Sequence, residues 1–225
     1  MKPAEWLSAI AGFLLSVAVI ATVIDCVCFD RSFYEAEYQK NDTVSFTGMS
    51  PEDNLAASDT LLEYLRGQRD DIVCTADING TEREVFNERE TLHMIDVRAL
   101  YQTAVKVRNI CLAVSAVLFI LAVLIGKQKL FTVLWNGWRR GILLTAGMVL
   151  FIAIWALADF DQFWTNFHLL LFDNDLWLLD PNTSVMINLF PGTFFFDMVI
   201  RIILLTAGVH AAIIGVFWAL GRNKG

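Results

Sequence analysis

His93 and His168 are the residues of this chain best equipped to move a proton. Histidine is the side chain that both accepts and releases a proton near neutral pH, and the chain has three of them in 225 residues. The sequence lacks G-x-S-x-G, H-E-x-x-H, P-loop, G-x-G-x-x-G and paired C-x-x-C patterns, which removes the common nucleophile, zinc and nucleotide signatures. What is left is general acid–base chemistry, in which one imidazole takes a proton and another gives one. On a helix, residues three and four apart share a face, so His93 is flanked by Arg89 and Glu90 before it and by Asp96 and Val97 after it. Glu90 or Asp96 could hydrogen-bond one ring nitrogen and raise the basicity of the other. His93 also reads as a histidine on an ordinary solvated, charge-interleaved face. His168 sits in the apolar run Phe167–Phe172, just before Asp173, Asn174 and Asp175. It is either a hydrogen-bonded structural residue or an imidazole beside acyl chains, where desolvation keeps it neutral and basic.

The elements that position these histidines are set by a membrane. The chain is 56% hydrophobic and 18% charged, with a mean hydropathy of +0.52. Four stretches approach the roughly 20 apolar residues that a bilayer span needs: Trp6–Val27, Ile110–Ile125, Ile142–Ala158 and Met198–Leu220. The first reads as a retained span, because its apolar run exceeds the roughly 7–15 residues of a signal peptide. Asp25 before Cys26 also argues against a lipoprotein signal. Lys and Arg near span ends mark the cytoplasmic side. They occur at Lys2, at Lys127, Lys129, Arg139 and Arg140, and at Arg222 and Lys224, whereas residues 159–196 carry none. Both termini are therefore expected in the cytoplasm and both large loops outside. The expected organisation is a first span at 1–29, an outer cap at 30–108, spans at 109–126 and 142–158 around a cytoplasmic loop at 127–141, an outer interfacial or re-entrant loop at 159–196, a fourth span at 197–220 and a tail at 221–225. The fold class is an all-α membrane protein: four transmembrane helices, a small extracytoplasmic cap and an aromatic-rich interfacial second outer loop.

Within the cap, Ser50-Pro51 starts a helix with Ser50 as N-cap and Gly67 as its stop. A short hairpin is predicted at Ile72–Asp77 and Thr81–Phe86 around Asn79-Gly80, a pair suited to a type I′ turn. Asn87 and Glu90 form a capping box, from which a helix runs unbroken into the second span. At about 1.5 Å per residue, His93 lies about 25 Å from Ile110 along that helix. It reaches the interface only if the helix tilts or bends, or if Met94–Val97 lies low. In the second outer loop, Phe160, Phe163, Trp164, Phe167, Phe172 and Trp177 crowd together at a density typical of the headgroup level. A pair of short helices is expected there, the second starting at Asp180-Pro181. Asp197 and Arg201, at i and i+4, are expected to pair, and His210 is expected to make an interhelical hydrogen bond. The cysteines Cys26, Cys28, Cys74 and Cys111 have neither metal-ligand nor disulfide spacing. The acidic pI near 4.9 argues against nucleic acid.

Two blocks carry a resemblance. Phe86-Asn87-Glu88-Arg89-Glu90-Thr91-Leu92-His93-Met94-Ile95-Asp96-Val97 is one; Phe167-His168, Trp177-Leu178-Leu179-Asp180-Pro181 and Leu189-Phe190-Pro191 through Phe194-Phe195 make the other. With the four-span layout, they resemble the lipoprotein intramolecular transacylases of Gram-positive bacteria over essentially the whole chain. The resemblance implies a plasma-membrane enzyme without cofactor or metal, whose site faces outside and whose partners are membrane lipid and diacylglyceryl-modified lipoproteins. It implies transfer of the sn-2 acyl chain of an S-diacylglyceryl-cysteine to its own N-terminal α-amine, giving a lyso-form lipoprotein. His93 and His168 are then the catalytic pair, with His93 favoured as base. Glu90, Asp96, Arg89 and Asp175 are expected as supporting or orienting residues, and Arg201 and Trp177 as headgroup contacts. The alternatives are a metal-dependent membrane hydrolase liganded by His93, His168, Asp96 and Asp175, and a non-enzymatic four-span sensor or assembly protein.

Overall fold

A computed structural model describes residues 2–127 and 129–222, with backbone alone at 221 and 222. The elements in chain order are α1 (Pro3–Cys28), α2 (Arg31–Lys40), α3 (Thr43–Thr47), α4 (Pro51–Arg66), β1 (Thr75–Ile78), β2 (Thr81–Glu84), α5 (Glu88–Gly126), α6 (Leu130–Ala158), α7 (Phe160–Leu171), α8 (Val185–Leu189) and α9 (Gly192–Arg222). They form two compact units. One is a helical bundle of the chain up to Cys26, Ala104–Ala158 and the chain from Ile200 on; the other is a cap of Val27–Thr103 and Asp159–Val199. Among the described residues, four helices are long and apolar enough to cross a membrane: α1, α5, α6 and α9.

Helices in a membrane gain little from the hydrophobic effect against each other, so close backbone packing and hydrogen bonds hold them. The bundle uses both. A Cβ on Gly12 of α1 would run into the Gly137 carbonyl of α6, and one on Gly141 would run into the Gly12 backbone. Around this contact Ala11, Phe119, Ala122 and Val133 are buried together. The Ser115 hydroxyl donates to the Ala11 carbonyl at 2.8 Å. Ser16 meets Thr145 at 2.7 Å and His210 Nε2 at 2.6 Å, so His210 makes the interhelical bond that its place in an apolar span suggests. Outward-facing Leu143, Phe151 and Leu204 remain exposed, as lipid contact requires.

One boundary differs from the sequence expectation. The connection expected over 127–141 is helical from Leu130, so Arg139 and Arg140 lie on α6 rather than in a loop. Nothing in Leu130–Trp138 stops a helix, and the charge of Arg140 is met by Glu5 at 3.7 Å. Of the basic tail, Lys224 lies outside the described residues and Arg222 is described by its helical backbone only.

In the cap, the local signals give the local structure. Ser50 caps α4 by accepting from Asp53 N at 3.0 Å, and Gly67 ends it at φ +76°. Asn79 and Gly80 both take positive φ, closing a hairpin in which Thr75 faces Glu84 and Ile78 faces Thr81. Helices α2 and α3 were not foreshadowed by strong apolar periodicity. Asp30 caps α2 through Ser32 N, and α2 buries Phe33, Tyr34 and Tyr38 against Phe190 and Phe194. Lys40 of α2 pairs with Asp197 of α9, a partner that the Asp197–Arg201 spacing does not suggest.

The second outer segment departs further. Helix α8 starts at Val185 with Ser184 as its cap, not at Asp180-Pro181. The Asp180 carboxylate is spent on a tight turn, accepting from Asn182 N and Asn182 Nδ2, each at 2.9 Å. The Asp180 carbonyl accepts from Thr183 N and Ser184 N. That turn closes on itself, and the helix begins only after it.

The Gly12–Gly137 contact sets an expected outcome. Gly12→Val forces backbone apart and should destabilise the protein by about 1–3 kcal/mol, read as a lower unfolding temperature in detergent. Gly147→Ala, where nothing lies within 4 Å of the added carbon, should leave that temperature unchanged or raise it slightly.

Candidate active site

The site is assembled from two stretches of the cap that are far apart in sequence. On α5 the capping box forms as its residues dictate: Glu90 N donates to Asn87 Oδ1 at 3.0 Å, and Asn87 N donates to Glu90 Oε2 at 2.6 Å. The other Glu90 oxygen accepts from Ser184 Oγ at 2.5 Å and from Met186 N at 2.7 Å. Glu90 is fully buried, and its carboxyl group pins the start of α8 to the start of α5. One turn further along α5 stands His93.

His168 comes from α7, an amphipathic helix capped by Asp159, which accepts from Gln162 N at 3.0 Å. Its inward face carries Phe163 and His168, while Leu169, Leu170 and Leu171 stay exposed. The His93 and His168 rings lie with centroids 6.1 Å apart and planes inclined by 34°. Phe172 touches both, at 5.4 Å from His93 and 5.8 Å from His168. Trp177 stacks on His168 at 4.8 Å, and Trp164 stands edge-on to it at 5.0 Å. Each histidine is only 8% exposed. The pair therefore meets in the cap, well before the apolar stretch of α5 begins near Ile110, because α7 carries His168 to the N-terminal part of α5.

The two imidazoles are not equivalent. His168 Nδ1 donates to the Trp164 carbonyl at 2.8 Å. A carbonyl only accepts, so the neutral ring carries its proton on Nδ1 and its lone pair on Nε2. His93 Nδ1, by contrast, is buried and has no hydrogen-bond partner among the described residues. The His93 pKa is pushed down from 6.5 to about 4, chiefly by burial, with His168 and Arg89 adding to the lowering and Asp96 opposing it. Burial also lowers the His168 pKa, against an upward pull from the bond to Trp164. Near neutral pH both rings are uncharged.

Several supporting residues do something other than their spacing suggests. Glu90 does not orient the His93 ring; its oxygens are occupied by Asn87, Ser184 and Met186. Asp96 accepts from Asn174 Nδ2 at 2.9 Å and acts on His93 only through its charge. The expectation that a neighbouring acid makes His93 more basic is thus reversed, because desolvation outweighs it. Arg89 pairs with Asp175 at 3.2 Å and also donates to the Asp175 carbonyl. Trp177 packs on His168 itself, and Arg201 belongs to the bundle. With Asp96 and Asp175 so engaged, no three His, Cys, Asp or Glu residues are placed to hold a metal among the described residues. Phe172 and Trp164, expected only as headgroup-level aromatics, complete the site together with Asn174 and Ser184. Of these Ser184 had a usable signal, a cap-type residue directly before Val185-Met186-Ile187.

Comparison with known proteins bears on what such a site belongs to. The family model for lipoprotein intramolecular transacylase Lit matches residues 9–195. The chain belongs to the Lit family. Solved structures of the membrane integral lipoprotein intramolecular transacylase Lit from Bacillus cereus share its fold. One has a TM-score of 0.77 at 20% identity, covering 98% of this chain and 97% of the other. Two forms of the same protein with one histidine replaced, by arginine or by alanine, each score 0.75 at 19% identity. They cover 98% of this chain and 93% or 94% of theirs. A search of curated proteins gives no significant sequence match. Membership of the Lit family, together with four membrane-length helices, makes this a multi-pass membrane enzyme of the transacylase class, with lipoprotein substrates.

Two outcomes follow from the geometry. Glu90→Ala strands the Asn87 and Met186 amides and the Ser184 hydroxyl in a buried place, at a cost of about 2–5 kcal/mol. The unfolding temperature should fall accordingly, and far more than for Glu88→Ala at the exposed neighbouring position. Because the His93 pKa is depressed in the fold, the unfolded chain binds the extra proton between pH 6.5 and about 4. Stability is therefore complete above pH 6.5 and falls on acidification by up to about 3 kcal/mol. His93→Phe should flatten that dependence in pH-scanned unfolding.

Proposed function

We propose that this enzyme moves the sn-2 acyl chain of an S-diacylglyceryl-cysteine lipoprotein to the N-terminal α-amine of the same molecule. The carrying observation is the pair of neutral imidazoles 6.1 Å apart, with the lone pair of His168 Nε2 left free by the bond from Nδ1 to Trp164. The α-amine, with a pKa of about 7.7–8.0, attacks the ester carbonyl in its unprotonated form. His168 Nε2 takes the proton that the nitrogen sheds as the tetrahedral intermediate forms. It returns that proton to the glyceryl oxygen as the C–O bond breaks. An ester becomes an amide and an alcohol, so the transfer runs downhill without an external energy source. His93 faces the same space and supplies a hydrogen bond to the oxyanion. The tautomer of His168 favours this assignment over the reverse one that the acids flanking His93 suggest. Holding amine and ester in one pocket adds the advantage of an intramolecular reaction.

The surroundings support a substrate that stays partly in lipid. Leu92 and Ile95 of α5 and Leu169, Leu170 and Leu171 of α7 are exposed large apolar side chains on the two helices that carry the histidines. A bilayer surface covers such residues and delivers acyl chains to them. The distribution of Lys and Arg supports a reading with both termini in the cytoplasm and the site on the outer side.

Purified protein incubated with a diacylated lipopeptide should consume the free amine without change in mass, and tandem fragmentation should place the acyl chain on nitrogen. His168→Ala and His93→Ala should each lower the rate by roughly 10²–10⁴-fold while the protein stays folded. An intact amine, or full activity in both variants, would sink this mechanism.

The pH profile offers a separate check. Both histidine pKa values are lowered from the ordinary 6.5, so the neutral form of each ring prevails above that pH. The rate of the wild-type enzyme should then rise with pH between about 6.5 and 8.5 as the substrate amine loses its proton. N-methylated lipopeptide, whose amine has a different pKa, should move that limb with it.

A further inference from the structure

The two histidines are buried, yet the substrate brings a peptide, a glyceryl group and two acyl chains to them. Part of the enclosure must therefore move. The covering residues fall into two kinds. Trp164, Phe167 and Phe172 belong to α7 or its C-cap, and His93 belongs to α5. Residues 173–178 belong to neither helix, and they bring Trp177 onto the His168 ring.

This short segment is a self-contained turn. Leu176 N donates to Asn174 Oδ1 at 3.1 Å, Trp177 Nε1 donates to the Asn174 carbonyl at 2.9 Å, and Leu178 N donates to the Asp175 carbonyl at 3.0 Å. Those bonds travel with the turn if it moves. Among the described residues, its polar attachments to α5 are two. Arg89 holds Asp175 and Asp96 holds Asn174, one turn before and one turn after His93. Both attachments are solvent-accessible, with the Arg89 and Asp175 side chains 42% and 76% exposed. Exposed pairs of this kind hold little, whereas the buried Glu90 network beside them holds strongly.

We propose that residues 173–178 are a strap that gates the histidine pair: it unclasps from Arg89 and Asp96 as one body, lifts Trp177 from His168, and closes again over the bound substrate. This builds on the transfer reaction proposed above, and it assigns Arg89, Asp96, Asn174 and Asp175 to admission and not to proton transfer. The clasps straddle His93, so closing the strap also closes the site around the ring that the substrate must meet.

Locking the strap tests this. Asp96→Cys with Asn174→Cys, in full-length protein whose four free cysteines are replaced by serine, is bridged with a short bis-methanethiosulfonate reagent and released with reductant. Two quantities are read on the same sample before and after release. One is amide formation on a diacylated lipopeptide; the other is carbethoxylation of His93 and His168 by diethyl pyrocarbonate, followed by peptide mass analysis. Bridging should suppress both more than tenfold, and reduction should restore them. Bridged protein whose histidines are modified as fast as in the reduced protein overturns the strap. If wild-type protein leaves the lipopeptide amine intact, the reaction assignment fails, while carbethoxylation still decides the gating.

Discussion

The site depends on one carboxyl group. Glu90 has no exposed surface, and its two oxygens accept from three donors in two stretches more than 90 residues apart. Its bond to Asn87 sets where α5 begins and therefore which side of that helix His93 faces. Its bonds to Ser184 and Met186 tether the segment that carries His168 and Trp177. Three donors converge on this one buried carboxyl, and the neighbouring imidazole is not among them. The same group thus builds the enclosure and stays out of its chemistry.

What was legible in the sequence follows from how far each decisive contact reaches. Ser50 and Asp53, Asn87 and Glu90, and Asn79 and Gly80 act within three residues, and the start of α4, the start of α5 and the hairpin turn form where those residues predict. The four apolar helices were visible because lipid imposes length and composition directly. The start of α8 was not, because Asp180 and Ser184 offer the same capping chemistry. Glu90, distant in sequence, settles the choice by bonding Ser184 and the Met186 amide. Helical spacing put both Glu90 and Asp96 within reach of His93, but spacing carries no information about competing donors such as Ser184 and Asn174. Arg139 and Arg140 looked like a loop for a similar reason: the Glu5 that meets Arg140 comes from another helix.

Burial has two effects on both histidines. Removing water lowers the pKa of each ring, which weakens it as a base in absolute terms. It also favours the neutral form of each ring, which in the proposed reaction leaves a lone pair for the proton of the substrate amine. The bond from His168 to the Trp164 carbonyl returns some of the lost basicity to that ring and leaves its lone pair on Nε2. His93 has no such bond at Nδ1 among the described residues. The two identical side chains thus differ in their surroundings: a helix carbonyl holds one ring, while burial and neighbouring charges act on the other.

Trp164, Phe172 and Trp177 around the rings have a consequence for chemoselectivity. An imidazole able to take a proton from an amine can equally take one from water, and hydroxide attack on the same ester would release a free fatty acid. With Trp177 lying flat on His168 and Phe172 against both rings, there is little polar wall to hold a competing water beside the base. Aminolysis wins over hydrolysis in such a place because the nucleophile arrives tethered to its own electrophile. In the proposed reaction, the aromatic walls and the tethered nucleophile together favour transfer over release of a free fatty acid.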